Sequence, residues 1–333
     1  MTSREIIQRA INFENPERIG LTFSGGRISD TAHAGATPAE GWTNRRHTED
    51  DMEVWWDEWG NSWHRFVGMS KGGEVREPVL KDWKDLDGLT LPDYSNPARY
   101  EKAAEAFSKN PDRYRIGGLP GFPFGIMRYM RKMEIFLEDV LLHRDEVEEL
   151  QRRVIAVIKD AMRNQAKAGA DAVFFCEDWG TQERLLVSPR LWRDLFKPGF
   201  AELVGEAKAN GLEVWMHSCG CVTEIIPDLI EVGIKVLQFD QPDLHGVEDL
   251  AKHGNGKVTF WCPVDIQRTL QTGDRDAIRA GAKKLIDCLG AHGGGFIAKN
   301  YGDLHGIGVK EEWDQWAYEA FVEFGNYDSG TGT

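Results

Sequence analysis

Short apolar runs alternate along this chain with longer stretches in which apolar residues recur every three or four positions. The short runs are Ile19–Phe23, Arg115–Gly118, Ala172–Cys176, Glu213–His217, Lys235–Phe239, Val258–Trp261 and Phe296–Lys299, each leading into polar or glycine-rich residues. They predict strands. Between them, Glu134–Gly169, Pro189–Gly211, Val222–Gly233, Val247–His253 and Arg275–Gly290 carry Lys, Glu and Arg between helically spaced apolar positions, and predict helices. A further helix opens the chain, with Ser3 as its cap, a run to about Phe13 and a break at Asn15-Pro16.

Strand and helix in alternation make a parallel sheet with crossover helices. The short runs supply seven strands, and Met52–Arg65 is expected to supply the eighth, although Trp55, Trp59 and Trp63 are spaced as on a helix face. A doubly wound open sheet is the competing architecture. It normally carries a glycine-rich phosphate fingerprint after its first strand, and Phe23-Ser24-Gly25-Gly26-Arg27 does not fit GxGxxG. The expectation is therefore α/β, a (β/α)8 TIM barrel with an N-terminal helical extension. Residues 1–327 form one domain and residues 328–333 a disordered tail.

The 333 residues are 41% hydrophobic and 28% charged, which suits one large buried core. A net charge of −14 repels a phosphate backbone, so nucleic acid is not an expected partner. The first residues lack an apolar signal region and no stretch is long enough to span a bilayer, so the expected place is the cytoplasm. Five cysteines, an odd number, point to reduced thiols or metal ligands rather than a disulfide framework.

In a parallel barrel, residues just past the carboxyl ends of the strands converge on one mouth. That rule selects Glu177 and Asp178, His217 and Cys219, Asp240, Gln241 and Asp243, Cys262 and Asp265, and Lys299, Asn300 and Asp303. His217 and Cys219, two apart on an extended backbone, project to one side and can grip a borderline cation, zinc best of all. A third donor must come from elsewhere, with Glu177, Cys262 and Cys221 as candidates; the plain alternative is a core histidine beside a buried thiol. Glu177 and Asp178 could serve as general acid and base or as metal ligands, or could cap a helix. Asp240 and Gln241 stand between substrate contact and capping. Twelve tryptophans, including Trp55, Trp56, Trp59, Trp63 and Trp179, could wall the mouth for a planar ligand or simply fill the core. Arg128-Tyr129-Met130-Arg131-Lys132 could hold an anion or form a solvated helix face.

The order Asn15-Pro16-Glu17-Arg18, Glu177-Asp178-Trp179-Gly180, Ser188-Pro189-Arg190-Leu191-Trp192, His217-Ser218-Cys219-Gly220 and Gly295-Phe296-Ile297-Ala298-Lys299-Asn300 resembles the uroporphyrinogen decarboxylase superfamily over nearly the whole chain. The resemblance implies a (β/α)8 barrel and admits two chemistries. One is cofactor-free decarboxylation of a tetrapyrrole rich in carboxylates, bound through an arginine-rich segment after the first strand; here only Arg27 stands there. The other is corrinoid-dependent methyl transfer, in which a His-x-Cys pair holds zinc, matched by His217 and Cys219. Thiol-methylating members take a further cysteine from the last strand, which this chain lacks, so the aryl methyl ether demethylating members are the closer match. That branch implies Zn2+ on His217, Cys219 and Glu177, with Asp178 or Asp240 as proton source or ring-orienting group. Trp179, Arg27, Gln241 and Asn300 are the expected substrate contacts. The methyl donor is a small molecule, and the acceptor is cob(I)alamin carried by a separate corrinoid protein. A binding barrel without catalysis is the reading from a different class.

Overall fold

Every expected apolar run forms a strand, and all seven join one parallel sheet. The structure is a computed structural model and describes residues 1–68, 72–254 and 256–327, so the tail 328–333 lies outside the described residues. In chain order the strands are β1 Gly20–Thr22, β2 Thr31–Gly35, β3 Arg46–Glu49, β4 Met52–Trp56, β5 Ser62–Phe66, β6 Glu74–Glu77, β7 Tyr114–Gly118, β8 Ala172–Cys176, β9 Glu213–His217, β10 Val236–Gln238, β11 Thr259–Cys262 and β12 Phe296–Lys299. Eight of them run β1-β12-β11-β10-β9-β8-β7-β2, each pair parallel, with helices in the crossovers. This is a (β/α)8 barrel.

The eighth strand is not the one expected. Met52–Arg65 forms β4 and β5 of a separate antiparallel sheet, ordered β3-β4-β5-β6, inserted between β2 and β7. Tryptophans four apart can reflect a helix face, but here Trp55 and Trp63 are cross-strand partners with stacked rings 6.1 Å apart. Trp59 lies in the turn between them and stacks on Tyr94. The missing barrel strand is Thr31-Ala32-His33-Ala34-Gly35, whose small and polar residues carry no apolar signature.

The ring closes between β1 and β2 through a short return. Phe23 N–H donates to Ile28 O at 3.0 Å, Asp30 N–H to Leu21 O at 2.7 Å, and Tyr114 N–H to Asp30 O at 2.9 Å. The Asp30 backbone thus bridges the two sides. Its side chain is fully buried and accepts from Ser3 Oγ at 2.6 Å, from both terminal nitrogens of Arg18 at 2.7 Å, and from Leu21 N–H at 2.8 Å.

The first helix, Ser3–Asn12, plugs the amino end of the barrel. Thr2 rather than Ser3 caps it: Thr2 Oγ1 accepts from Glu5 N–H while the Glu5 carboxylate accepts from Thr2 N–H, a reciprocal cap. Ser3 is released to bind Asp30. Ile7 and Ile11 of this helix pack with Tyr114, Ile116, Trp215, Trp261 and Ile297 inside the barrel.

Strand alternation then sorts every other residue. Ala172, Phe174, Trp215, Val236, Trp261 and Ile297 belong to the interior cluster. Their neighbours Val173, Phe175, Val214, Met216, Leu237, Phe260, Cys262 and Ala298 pack outward against the helices. Among the described residues, no helix is long and apolar enough to cross a membrane.

Removing the Asp30 carboxylate leaves the partly buried Arg18 guanidinium and Leu21 N–H without their acceptor. Asp30→Ala is expected to cost about 3 kcal/mol or more, the scale of a broken buried ion pair. Urea titration should show a lower midpoint with an unchanged m value; an unchanged midpoint would contradict the closure assigned to Asp30.

Candidate metal centre and active site

Alternation continues past the strand ends and decides which side chains enter the mouth. After Phe174 and Cys176 the next inward position is Asp178; after Trp215 and His217 it is Cys219; after Val236 and Gln238 it is Asp240. His217 Nε2 lies 3.2 Å from Cys219 Sγ and 3.6 Å from Asp178 Oδ1, and the three ligand atoms lie within 4.8 Å of one another. Cys219 N–H donates to the same Asp178 oxygen at 2.8 Å, fixing the carboxylate over the pair. With zinc–nitrogen bonds of about 2.0 Å and zinc–sulfur bonds of about 2.3 Å, a tetrahedral centre has edges of about 3.3–3.6 Å. The two edges from His217, 3.2 and 3.6 Å, lie close to that figure.

His217 is prepared for such a role by its other nitrogen. Nδ1 meets Gln238 Oε1, whose amide is oriented because Gln238 Nε2 donates to Asp240 Oδ1 at 2.8 Å. Lys299 Nζ donates to the same Asp240 oxygen at 2.7 Å and lies 5.4 Å from the Trp261 ring centre. With Gln238 accepting, Nδ1 carries the hydrogen and Nε2 presents its lone pair to Cys219 and Asp178. Burial alone would raise the Asp240 carboxyl, but the Lys299 ammonium, helped by the Gln238 amide, holds it below the usual carboxylate value. Asp240 is therefore an anion that orders this chain, and does not fit the proton source suggested from sequence.

Loss of water around its sulfur, then the Asp178 and Asp240 carboxylates, push the Cys219 thiol up to about 12. Without a cation the thiol stays protonated; a divalent ion held there would favour the thiolate.

Glu177, expected as the third ligand, points the opposite way from Asp178, as adjacent strand residues must. It is fully buried, and its carboxylate accepts from Gly125 N–H and Trp179 Nε1, both at 2.9 Å. Burial pushes it up to about 7. Its partner Trp179, expected to stack on substrate, is also fully buried outside the barrel, against Phe124, Trp192 and Phe196. Cys262 faces outward into the core, and Cys221 Sγ turns to Thr223 Oγ1 at 3.7 Å, so neither joins the cluster.

The remaining expected contacts sit at the rim. Arg27 pairs with the buried Asp314 at 2.8 Å, and Asn300 exchanges hydrogen bonds with Ser24. Both line a cavity of about 660 Å³ with Arg65, Tyr301 and His305. Gln241 lies on a smaller cavity beside Cys219 and bonds Gln182 at 3.2 Å. The basic run is not a solvated face: Arg131 pairs with the buried Asp139 at 2.8 Å, and Arg128 reaches Asp178 at 3.6 Å.

Sequence reasoning missed His33 with its strand. Its Nε2 lies 3.1 Å from Thr31 Oγ1 and its ring 6.0 Å from Trp261; burial and the Lys299 charge bring it down to about 4, so it is neutral. Gln238 was missed too, although a glutamine two residues before Asp240 inside an apolar strand is a usable signal. The expectation that the chain carries no corrinoid-binding segment, the ground for placing the cofactor on a partner, fails at one run. Asp303-Leu304-His305-Gly306-Ile307-Gly308 spells Asp-x-His-x-x-Gly, the short pattern associated with corrinoid binding; here it forms only the turn between β12 and the helix Glu311–Phe324.

Residues 66–321 match the family described as uroporphyrinogen decarboxylase (URO-D). The chain belongs to the uroporphyrinogen decarboxylase family. No curated protein sequence matches it. Among solved structures it is similar to a methyltransferase from Methanosarcina mazei, at 19% identity over 76% of this chain and 73% of that one, with a TM-score of 0.61. That likeness shows the shared fold. An endo-beta-1,4-xylanase from Gloeophyllum trabeum matches 68% of this chain and 80% of its own at 10% identity and a TM-score of 0.41.

In this uroporphyrinogen decarboxylase family member the loops bearing Asp178 and Cys219 cross at two glycines. A Cβ on Gly220 would stand 2.0 Å from Gly180 O, and one on Gly180 would stand 2.5 Å from Cys221 N. Gly220 also has φ +76°, a region L side chains avoid. Gly220→Ala is expected to cost about 1–3 kcal/mol in backbone strain and, in addition, to separate the two loops. Gly211→Ala is the control, with φ +73° and open space around it. Thermal unfolding should show a larger loss for Gly220→Ala; equal losses would contradict the loop crossing as a constraint.

Proposed function

We propose that this chain is a methyltransferase that moves a methyl group from an aryl methyl ether to cob(I)alamin carried by a separate corrinoid protein. Zinc is held by His217, Cys219 and Asp178. The observation that carries the reading is the convergence of His217 Nε2, Cys219 Sγ and Asp178 Oδ1, with the His217 lone pair directed at the cluster by Gln238. The methyltransferase among the structural neighbours supports it. The tetrapyrrole decarboxylase reading has less support, because Arg27 and Arg128 are engaged by Asp314 and Asp178 rather than offered to carboxylates.

Bound zinc supplies Lewis acidity that an aryl ether oxygen needs, since phenolate is a poor leaving group. The rest falls to the chain. In the reaction the methyl–oxygen bond breaks, the acceptor supplies the electron pair for the new bond to carbon, and the aryl oxygen keeps the old pair and takes a proton. Tyr301 borders both cavities, and its phenol O–H is placed to deliver that proton near the site. Lys299, Asp240 and Gln238 keep His217 in one tautomer throughout. Trp261, Phe174 and Ile297 close the floor beneath the site against water.

The reading is tested by transfer from an aryl methyl ether to reduced corrinoid protein, followed by the change in corrinoid absorbance, with zinc content measured on the same samples. His217→Ala and Cys219→Ser are expected to lose zinc and at least about 100-fold in rate, and Asp178→Asn to lose zinc affinity at least about 10-fold, the smallest loss typical even of a group one shell further out. Glu177→Gln is expected to keep its zinc while losing about 1–3 kcal/mol of stability, because one of two buried N–H donors loses its acceptor. Full activity in Cys219→Ser, or zinc loss confined to Glu177→Gln, would contradict the assignment.

A further inference from the structure

Beside Cys219 lies a second cavity, of about 210 Å³, bounded by the ends of β9 and β10. Its walls separate by chemistry. Phe239, Ile266 and Ile307 form apolar flanks, while the amides of Gln182, Gln241 and Gln267 supply uncharged donors and acceptors. Among the described residues no Lys or Arg lines it, and the one acidic side chain on its wall, Asp240, is already engaged by Lys299 and Gln238.

His245 completes the wall and adds no charge. It is buried, its Nδ1 lies 3.0 Å from Thr223 Oγ1, and its ring packs 4.4 Å from Phe239. Burial brings it down to about 4, so near neutral pH it is an uncharged imidazole.

Size and charge together narrow the occupant. An apolar cavity of about 150 Å³ accommodates one benzene ring, so this one, at about 210 Å³, is sized for a single ring with one or two small substituents and is too small to enclose a tetrapyrrole. A carboxylate seated among these amides would give up its hydration with no Lys or Arg on that wall to replace it, whereas a neutral polar substituent would find partners there. Cys219 belongs both to this wall and to the metal cluster, so a ring seated here can bring its ether oxygen to the reaction centre.

Building on the methyl-transfer reading above, we propose that the methyl donor is an uncharged single-ring ether seated in this cavity, and that Gln267 on its wall helps to discriminate against anionic analogues. The test uses a near-isosteric pair, 4-methoxybenzamide and 4-methoxybenzoate, titrated calorimetrically into the full-length zinc-loaded protein. The amide is expected to bind at least tenfold tighter than the benzoate. Gln267 is exposed and its backbone is held by Asp265, so Gln267→Lys should fold, place a cation on the wall and move the preference at least tenfold toward the benzoate. Ile307→Trp should fill the cavity and abolish amide binding without changing zinc content.

Equal or tighter benzoate binding by the unaltered protein, amide binding that survives Ile307→Trp, or binding of neither probe would overturn the cavity assignment. Methyl transfer from the same two probes separates this from the wider reading. Amide binding without transfer to cob(I)alamin leaves the cavity and removes the methyltransferase; transfer that favours the benzoate does the reverse.

Discussion

Everything at the mouth of this barrel follows from the two-residue alternation of its strands, carried one or two residues beyond the last paired position. A parallel barrel holds its strands in fixed register, so the last inward residues of β8, β9, β10 and β12 arrive at similar heights. Cys176 pairs with His217, and His217 with Gln238. The next inward residues, Asp178, Cys219 and Asp240, therefore meet although they are 41 and 21 residues apart in steps along the chain. The outward set is equally constrained: Glu177, Trp179 and Cys262 face the helices and build the packing that holds the strand ends still. Glu177 shows how the two sets cooperate. Its bonds to Gly125 and Trp179 fix the backbone on either side of Asp178, and so aim a residue it does not touch.

Electrostatics sets a second layer on this geometry. Two carboxylates and a thiol crowd one small volume, relieved by Lys299 on one side and Arg128 on the other. Lys299 is committed to Asp240, which orders Gln238, which fixes the His217 tautomer. The thiol is the group left with unfavourable charge around it, raised in pKa and lacking a cation of its own. A divalent ion held by His217, Cys219 and Asp178 would relieve that repulsion and favour the thiolate.

Most of the barrel was legible in the sequence because buried parallel strands are short apolar runs, and β8, β9 and β12 lie at the expected bounds. β2 was not, because Thr31, Ala32, His33, Ala34 and Gly35 lie at the open edge where the ring closes, and small or polar side chains suffice there. Met52–Arg65 misled for a related reason: a spacing of four suits a helix face and equally a tight antiparallel hairpin, and only cross-strand partners distinguish them. At the site, His217 and Cys219 were readable from their own spacing. Choosing between Glu177 and Asp178 needed the phase of β8, and that phase was written in the small residue Ala172, which faces the crowded interior. Trp179 and Cys262 were assigned to the mouth by proximity in sequence, where alternation would have sent both outward.

The central claim is that His217, Cys219 and Asp178 bind one divalent cation together. X-ray absorption at the zinc edge, recorded on the full-length protein loaded with one equivalent of zinc, tests it most directly. The account predicts one sulfur at about 2.3 Å and the remaining ligands, nitrogen or oxygen, at about 2.0–2.2 Å, with the sulfur shell absent in Cys219→Ser. A shell of oxygen and nitrogen alone in the unaltered protein, or a sulfur shell that persists in Cys219→Ser, would contradict it.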